Sequence, residues 1–110
     1  MSANLKDWVL EEANGEQIHA VVIGEMGWGD YGSDAVPNYA EQPRGVVLTW
    51  DEALPWIDYQ FHDGYGAPGC NAIVAWTDSL IISIDQYDGA TSCFSIPRHP
   101  TDHMPEMPGG

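Results

Sequence analysis

The chain has few basic residues: three lysines and arginines together face seventeen aspartates and glutamates among 110 residues. Nucleic-acid binding depends mainly on contacts of Lys and Arg with phosphates, so this composition excludes ordinary binding to DNA or RNA. The formal net charge of −14 also repels anionic membrane surfaces. Such a chain instead attracts basic proteins, and the attraction weakens as salt is added.

Cysteines and long apolar runs are also scarce. Cys70 and Cys93 are too few for a disulfide scaffold, and we expect free thiols in a chain that opens without an export signal. Lys6 is followed at once by Asp7, unlike a secretory signal, and no apolar run is long enough to cross a bilayer. These features predict a cytoplasmic protein.

The remaining composition is that of a folded domain. Apolar residues make up 44% of the chain and aromatic residues 11%, enough for one core in a chain of this length. We expect a single α+β domain over residues 1–97, with a four- to five-stranded antiparallel sheet packed on one main helix. Residues 98–110 form a proline-rich tail that we expect to be extended or frayed.

Residues 63–97 hold the densest apolar pattern and predict an antiparallel β-meander. Residues 71–77 are apolar on both faces, which suits a central strand. A two-residue Asp88-Gly89 loop would pair Ile84 with Cys93, whereas a loop that also includes Ala90 pairs Ile84 with Phe94. The apolar alternation favours the longer loop. The opposite, more polar face of the second and third strands would then carry Ser83, Asp85, Cys93 and Ser95.

The N-terminal segment has two interpretations. Residues 4–13 read as a helix capped by Asn4 and closed at Asn14-Gly15, but Asn-Gly also marks tight hairpins; we favour the helix. A strand over residues 18–23 follows, and we expect Gly24 to end it.

The middle of the chain predicts a short strand over residues 45–49 and then a helix. Thr49 and Glu52 have the spacing of a capping box, and the apolar face of the helix would continue as far as Phe61. Pro55 either kinks this helix or forms its first residue. Residues 25–42 lack periodicity, but their aromatic residues argue against disorder, so we expect a folded surface loop there.

The patterns typical of catalytic and metal sites are weak. His99 and His103 are four residues apart among prolines, and neither Asp30 with Asp34 nor Asp58 with Asp63 follows the ligand order of a calcium loop. Cys70 precedes a strand, so no helix N-terminus would activate its thiol. We therefore expect no metal, no cofactor and no enzymatic activity.

The uneven distribution of charge suggests that the acidic surface itself has a function. Residues 25–63 carry a net charge of −7, half of the total. Same-face residues on a strand lie roughly 6.6 Å apart, a spacing similar to that of successive phosphates, so carboxylates here could occupy a groove built for DNA. The predicted partner-binding residues combine acids with aromatic contact area: Glu25, Trp28, Asp30, Tyr31, Asp34, Asp51, Glu52, Asp58 and Asp63.

Several short segments add a resemblance. The segments 28–32, 50–54, 63–66, 76–77, 87–91 and 96–98 resemble those of small acidic uncharacterised proteins of tailed bacteriophages. Phage accessory proteins of this size and charge include anti-CRISPR and other anti-defence inhibitors and DNA mimics. The resemblance implies an inhibitor that binds a basic, nucleic-acid-handling host protein inside the bacterial cell. It assigns no functional residue.

Two other functions remain open. A small-ligand or glycan module would stack its ligand on aromatic loops at residues 28–31 and 64–65, with Asp30 and Asp63 holding hydroxyls. A small hydrolase would use Asp58 and Asp63 as its carboxylate pair.

Overall fold

A computed structural model describes residues 2–26, 36–64, 69–87, 90–102 and 104–105. In chain order its elements are β1 (Ser2–Asn4), α1 (Leu5–Ala13), β2 (Ala20–Met26), a 3₁₀ helix (Tyr39–Glu41), β3 (Val47–Leu48), α2 (Trp50–Ile57), β4 (Gln60–His62), β5 (Asn71–Trp76), β6 (Leu80–Tyr87) and β7 (Ala90–Pro97).

Five of the strands form an antiparallel sheet in the order β3-β2-β5-β6-β7. Strand β5 is central and β5, β6 and β7 form a meander, so the predicted α+β class and C-terminal meander are confirmed. Strands β1 and β4 form a separate antiparallel pair that we did not predict, because three residues are too few to show a periodic pattern.

The predicted register between β6 and β7 is wrong. Tyr87 pairs with Ala90 and Ile84 with Cys93, which corresponds to the two-residue loop. The sequence was misleading because both faces of the meander carry apolar residues, so alternation alone does not fix the register. Cys93 lies on the helix side, where its thiol is 3.8 Å from the carbonyl of Trp8, and Phe94 lies on the other face opposite Ser83.

Helix α1 confirms the helical interpretation of the N-terminal segment. The Asn4 side chain accepts a hydrogen bond from the backbone N–H of Asp7 at 3.2 Å, which caps the first turn. Asn14 ends the helix in the left-handed conformation, with φ of 50°. Leu5, Val9 and Ala13 form one buried face.

Helix α2 begins with the predicted capping box. Thr49 accepts from the N–H of Glu52 at 3.2 Å, and Glu52 accepts from the N–H of Thr49 at 2.9 Å. Pro55 lies inside the helix rather than at its first position. The expected continuation to Phe61 is wrong, because the helix ends at Ile57 and Phe61 lies in β4.

Strand β2 also runs further than predicted, through Gly24 to Met26. Glycine fits there because of close packing: an added Cβ at Gly24 would lie 3.2 Å from the carbonyl oxygen of Ala72. Gly24 therefore allows two neighbouring strands to approach and does not end β2.

Both helices contact strands of the five-stranded sheet, α1 against β6 and β7 and α2 against β2 and β3. The core between these layers includes Leu5, Ile23, Ile57, Ile73 and Ile82, all 2% exposed or less. Neither helix is long and apolar enough to span a membrane in the described part of the chain.

Candidate functional site

The two helices lie side by side and run in opposite directions. At one end, the Asp58 carboxylate that follows α2 accepts a hydrogen bond from the Asn4 side chain at 3.0 Å and lies 3.5 Å from the Lys6 ammonium. At the other end, Leu10 of α1 shares a cleft with Trp50 and Asp51 of α2. This arrangement brings carboxylates from two distant parts of the sequence onto one surface.

We call this surface the acidic helix face. Asp7 and Glu11 are one turn apart and opposite the buried stripe of α1, so their carboxylates point away from the core. On α2, Asp51 and Glu52 lie in the exposed first turn and Asp58 lies at the exposed C-cap. The members of the face are Asp7, Glu11, Glu16, Asp51, Glu52 and Asp58.

The three basic residues leave most of this charge uncompensated. Lys6 lies near Asp58 and Asp7, at 3.5 and 3.8 Å. Arg44 stacks on the Tyr39 ring, 4.3 Å from its centroid, and the guanidinium of Arg98 donates to the carbonyl of Thr77 at 2.8 Å. Among the described residues, Lys6 is the one Lys or Arg within ion-pair distance of a carboxylate.

Hydrogen bonds keep several of these carboxylates ionised. The backbone N–H and the side chain of Thr49 lower the pKa of Glu52. The Asn4 side chain, and to a smaller degree the charge on Lys6, lowers the pKa of Asp58. The hydroxyls of Ser79 and Thr77 lower the pKa of Glu16, whose carboxylate they contact at 2.6 and 2.7 Å. These groups therefore carry full negative charge at neutral pH.

The structure brings three of the predicted partner-binding residues together on this face, namely Asp51, Glu52 and Asp58. Glu25 is exposed near the end of β2, and Asp63 is half-buried after β4. One oxygen of Asp63, Oδ1, is buried and has no hydrogen-bond partner within the described ranges. Trp28, Asp30, Tyr31 and Asp34 lie outside the described residues, as does Tyr65 of the predicted glycan-binding loops.

Sequence reasoning missed Asp7, Glu11 and Glu16. It grouped charges by position along the chain, and these three residues precede the segment with the largest net charge. The signal was available for two of them, because Asp7 and Glu11 have the i, i+4 spacing that puts side chains on the same side of a helix. Glu16 is brought to the face by contacts with residues more than sixty positions away.

A buried polar network links Gly24 to Gln42, the two residues that flank the acidic segment of residues 25–41 in the sequence. The Asn71 side chain accepts from the Tyr59 hydroxyl at 2.8 Å and donates to the carbonyl of Gly24 at 2.9 Å. Asn71 and Gln42 also exchange two amide hydrogen bonds, at 2.9 and 3.1 Å. The network therefore ties together the residues that immediately precede and follow the segment.

The cysteines do not form an activated nucleophile. Both are free, and burial raises the pKa of each thiol to about 12. Burial likewise raises the pKa of the Tyr59 phenol, which serves the network as a neutral hydroxyl. The described residues contain no group of three or more His, Cys, Asp or Glu side chains that could hold a metal ion.

No family model matches the chain, and neither the curated proteins nor the solved structures include a significant match to it.

Proposed function

We propose that this chain is a non-enzymatic acidic protein that occupies a basic surface of a nucleic-acid-handling protein. In keeping with the bacteriophage resemblance, the proposed partner is a bacterial host protein and the outcome is inhibition by DNA mimicry. The observation that carries the proposal is the acidic helix face, where six carboxylates from two antiparallel helices and the residues that follow them lie with one lysine.

The dimensions of the face suit this role. Asp7 and Glu11 are separated by about one helical turn of 5.4 Å, close to the spacing of successive phosphates along a nucleic-acid strand. The second helix supplies a parallel row, with Asp51 and Asp58 at its two ends. Two acidic rows of this kind would present a basic groove with charges whose spacing along each row is similar to that of phosphates along one strand.

Helix stability accounts for only part of this acidity. Asp51 and Glu52 lie in the first turn of α2, where negative charge is stabilised by the helix dipole, and Glu52 completes the capping box. Glu11 lies near the C-terminal end of α1, where the dipole disfavours a carboxylate. Glu11 is therefore explained better by a role at the surface than by a role in the helix.

The hydrogen bond to Asp58 limits the roles open to the carboxyl pair of the hydrolase hypothesis. Such a pair needs one member that remains protonated near the working pH and one that is ionised. The Asn4 side chain and the charge on Lys6 lower the pKa of Asp58, so Asp58 would be the ionised member.

Affinity capture from bacterial lysate with the purified chain tests the proposal. We expect a retained basic protein to be released by duplex DNA at constant ionic strength, because DNA and the acidic helix face compete for one groove. The variant Glu11→Gln/Asp51→Asn should capture much less of this protein. The charge-matched control Glu41→Gln/Asp102→Asn, which changes two exposed acids that are not members of the acidic helix face, should capture as much as the unmodified chain.

Two results would overturn the proposal. Retention that resists duplex DNA would show that the partner does not use a nucleic-acid groove. Equal capture by the two charge-matched variants would show that the acidic helix face is not the contact surface.

A further inference from the structure

A cleft of about 380 Å³ opens where the C-terminal end of α1 faces the N-terminal end of α2. Its wall is completed by the connection between α1 and β2. This volume falls in the range of sites that hold a small ligand or one large side chain. We call it the helix-end cleft.

One side of the helix-end cleft is apolar. Leu10 remains 45% exposed although it is a large aliphatic residue, and Trp50 is half-buried beside it. Ile18, which is 5% exposed, also lines the cleft. An exposed leucine beside an indole provides a surface on which an alkyl chain or a flat group can pack.

The other side of the cleft is anionic. The Glu16 carboxylate is held in place by both Thr77 and Ser79, and Asp51 projects from the first turn of α2. His19 also lines the cleft, but its Nε2 is 2.6 Å from Oδ1 of Asp78. None of the described residues that line the cleft is a lysine or an arginine.

We propose that the helix-end cleft binds one arginine side chain of a basic protein partner. The aliphatic stem would pack on Leu10, the planar guanidinium would stack on the Trp50 ring, and the carboxylates of Asp51 and Glu16 would neutralise its charge. This inference rests on the proposed function, since it names the residue by which a basic partner is anchored to the acidic helix face.

The chemistry of the cleft favours arginine over other occupants. Anionic and phosphorylated groups are repelled by two carboxylates that no lysine or arginine compensates among the described residues of the cleft. An ammonium group can reach the carboxylates, but it is more strongly hydrated and cannot stack, whereas a guanidinium combines stacking on an indole with paired hydrogen bonds to a carboxylate.

A titration followed by NMR tests the inference directly. N-acetylarginine methylamide is added to ¹⁵N-labelled protein, and the indole N–H signals are followed, with Trp50→Phe used to assign the signal of Trp50. N-acetylcitrulline methylamide is the matched probe, because it keeps the shape of arginine and lacks its charge. We expect the arginine compound to shift the Trp50 signal and those of Leu10 and Asp51, and the citrulline compound to leave them unchanged.

Substitution of Asp51 provides a second readout. Removing one charge at contact distance in a solvated site weakens binding by about fivefold, so Asp51→Asn should raise the dissociation constant by about that factor. Glu41→Gln removes the same charge from an exposed site outside the cleft and should leave the constant unchanged.

Equal shifts with arginine and citrulline, no shift at Trp50, or equal effects of the two substitutions would each overturn the inference. These results are distinguishable from failure of the proposed function. If the cleft does not bind arginine but duplex DNA still releases a captured partner, only the anchor is wrong. If the cleft binds arginine but capture does not depend on the acidic helix face, the cleft is an arginine site and the DNA-mimic function is wrong.

Discussion

Replacement of Asn71 by leucine is the sharpest test of the polar network that links Gly24 to Gln42. Asn71 is fully buried, and leucine has the same number of side-chain heavy atoms with the same branching but cannot form its hydrogen bonds. The change would leave three polar groups of the network without a partner: the carbonyl of Gly24, the Oε1 atom of Gln42 and the hydroxyl proton of Tyr59.

The magnitude follows from these orphaned groups. Each unsatisfied polar group lowers the free energy of unfolding by about 1–3 kcal/mol, while burial of the more apolar leucine side chain raises it by about 1–2 kcal/mol. We expect Asn71→Leu to lower the free energy of unfolding by about 4 kcal/mol, a large share of the 5–15 kcal/mol that is typical of a domain. Urea denaturation followed by tryptophan fluorescence measures the loss.

The Tyr59→Phe variant serves as a control, and the double variant measures the energetic coupling between Tyr59 and Asn71. It removes the hydroxyl that accepts from the Asn71 backbone at 2.9 Å, so a smaller loss of about 1–3 kcal/mol is expected. In the double variant the orphaned hydroxyl of Tyr59 no longer exists, and the combined loss should be at least about 1 kcal/mol below the sum of the two. Strict additivity, or a loss below about 1 kcal/mol for Asn71→Leu, would refute the reasoning.

Three further predictions follow from individual contacts. The pKa of Glu16 in the folded protein lies below its ordinary value of about 4.3, so ionised Glu16 stabilises the fold above that pH. This contribution is lost as the pH falls through the folded pKa. The difference in Tm between the unmodified chain and Glu16→Gln should therefore be constant from about pH 7 to 5 and shrink below about pH 4. A difference that grows on acidification would contradict this. The observed register predicts strong Hα–Hα nuclear Overhauser effects between Ile84 and Cys93, and a contact of that kind between Ile84 and Phe94 would instead support the longer loop. Iodoacetamide should modify Cys70 and Cys93 slowly at pH 7.5 and rapidly after unfolding, since the raised thiol pKa values leave little thiolate, and fast native alkylation would show that the thiols are activated.

The elements that sequence reasoning predicted correctly are those with local signals. The Asn4 cap, the Thr49–Glu52 capping box and the turn at Asn14 are specified by hydrogen bonds within four residues, so their residue types are sufficient to identify them. The central position of β5 followed from apolar residues on both of its faces.

The errors concern features set by tertiary contacts. The β6–β7 register depends on which apolar face the helices cover, and the pairing places Cys93 on the helix side and leaves Ile96 47% exposed on the other. Likewise, Phe61 continued the helical pattern of α2 in the sequence. In the structure it lies in β4 and is buried against Trp8 of α1, with ring centroids 5.0 Å apart.

The candidate site was predicted only in part for a similar reason. The charge excess along the chain drew attention to Asp51, Glu52 and Asp58, which do share a surface. Their neighbours on that surface come from α1, and the antiparallel pairing of the two helices cannot be read from either helix alone. The cleft between the helix ends has no signature in the sequence at all.

The salt dependence of binding tests the central claim, that the acidic helix face is the contact surface, most directly. Once a captured partner is purified, its dissociation constant is measured over a range of salt concentrations for the unmodified chain, for Glu11→Gln/Asp51→Asn and for Glu41→Gln/Asp102→Asn. We predict a steep logarithmic dependence on salt that becomes clearly shallower only in the helix-face variant, because fewer charges then face the partner. An affinity that is insensitive to salt, or one slope shared by all three proteins, would contradict the claim.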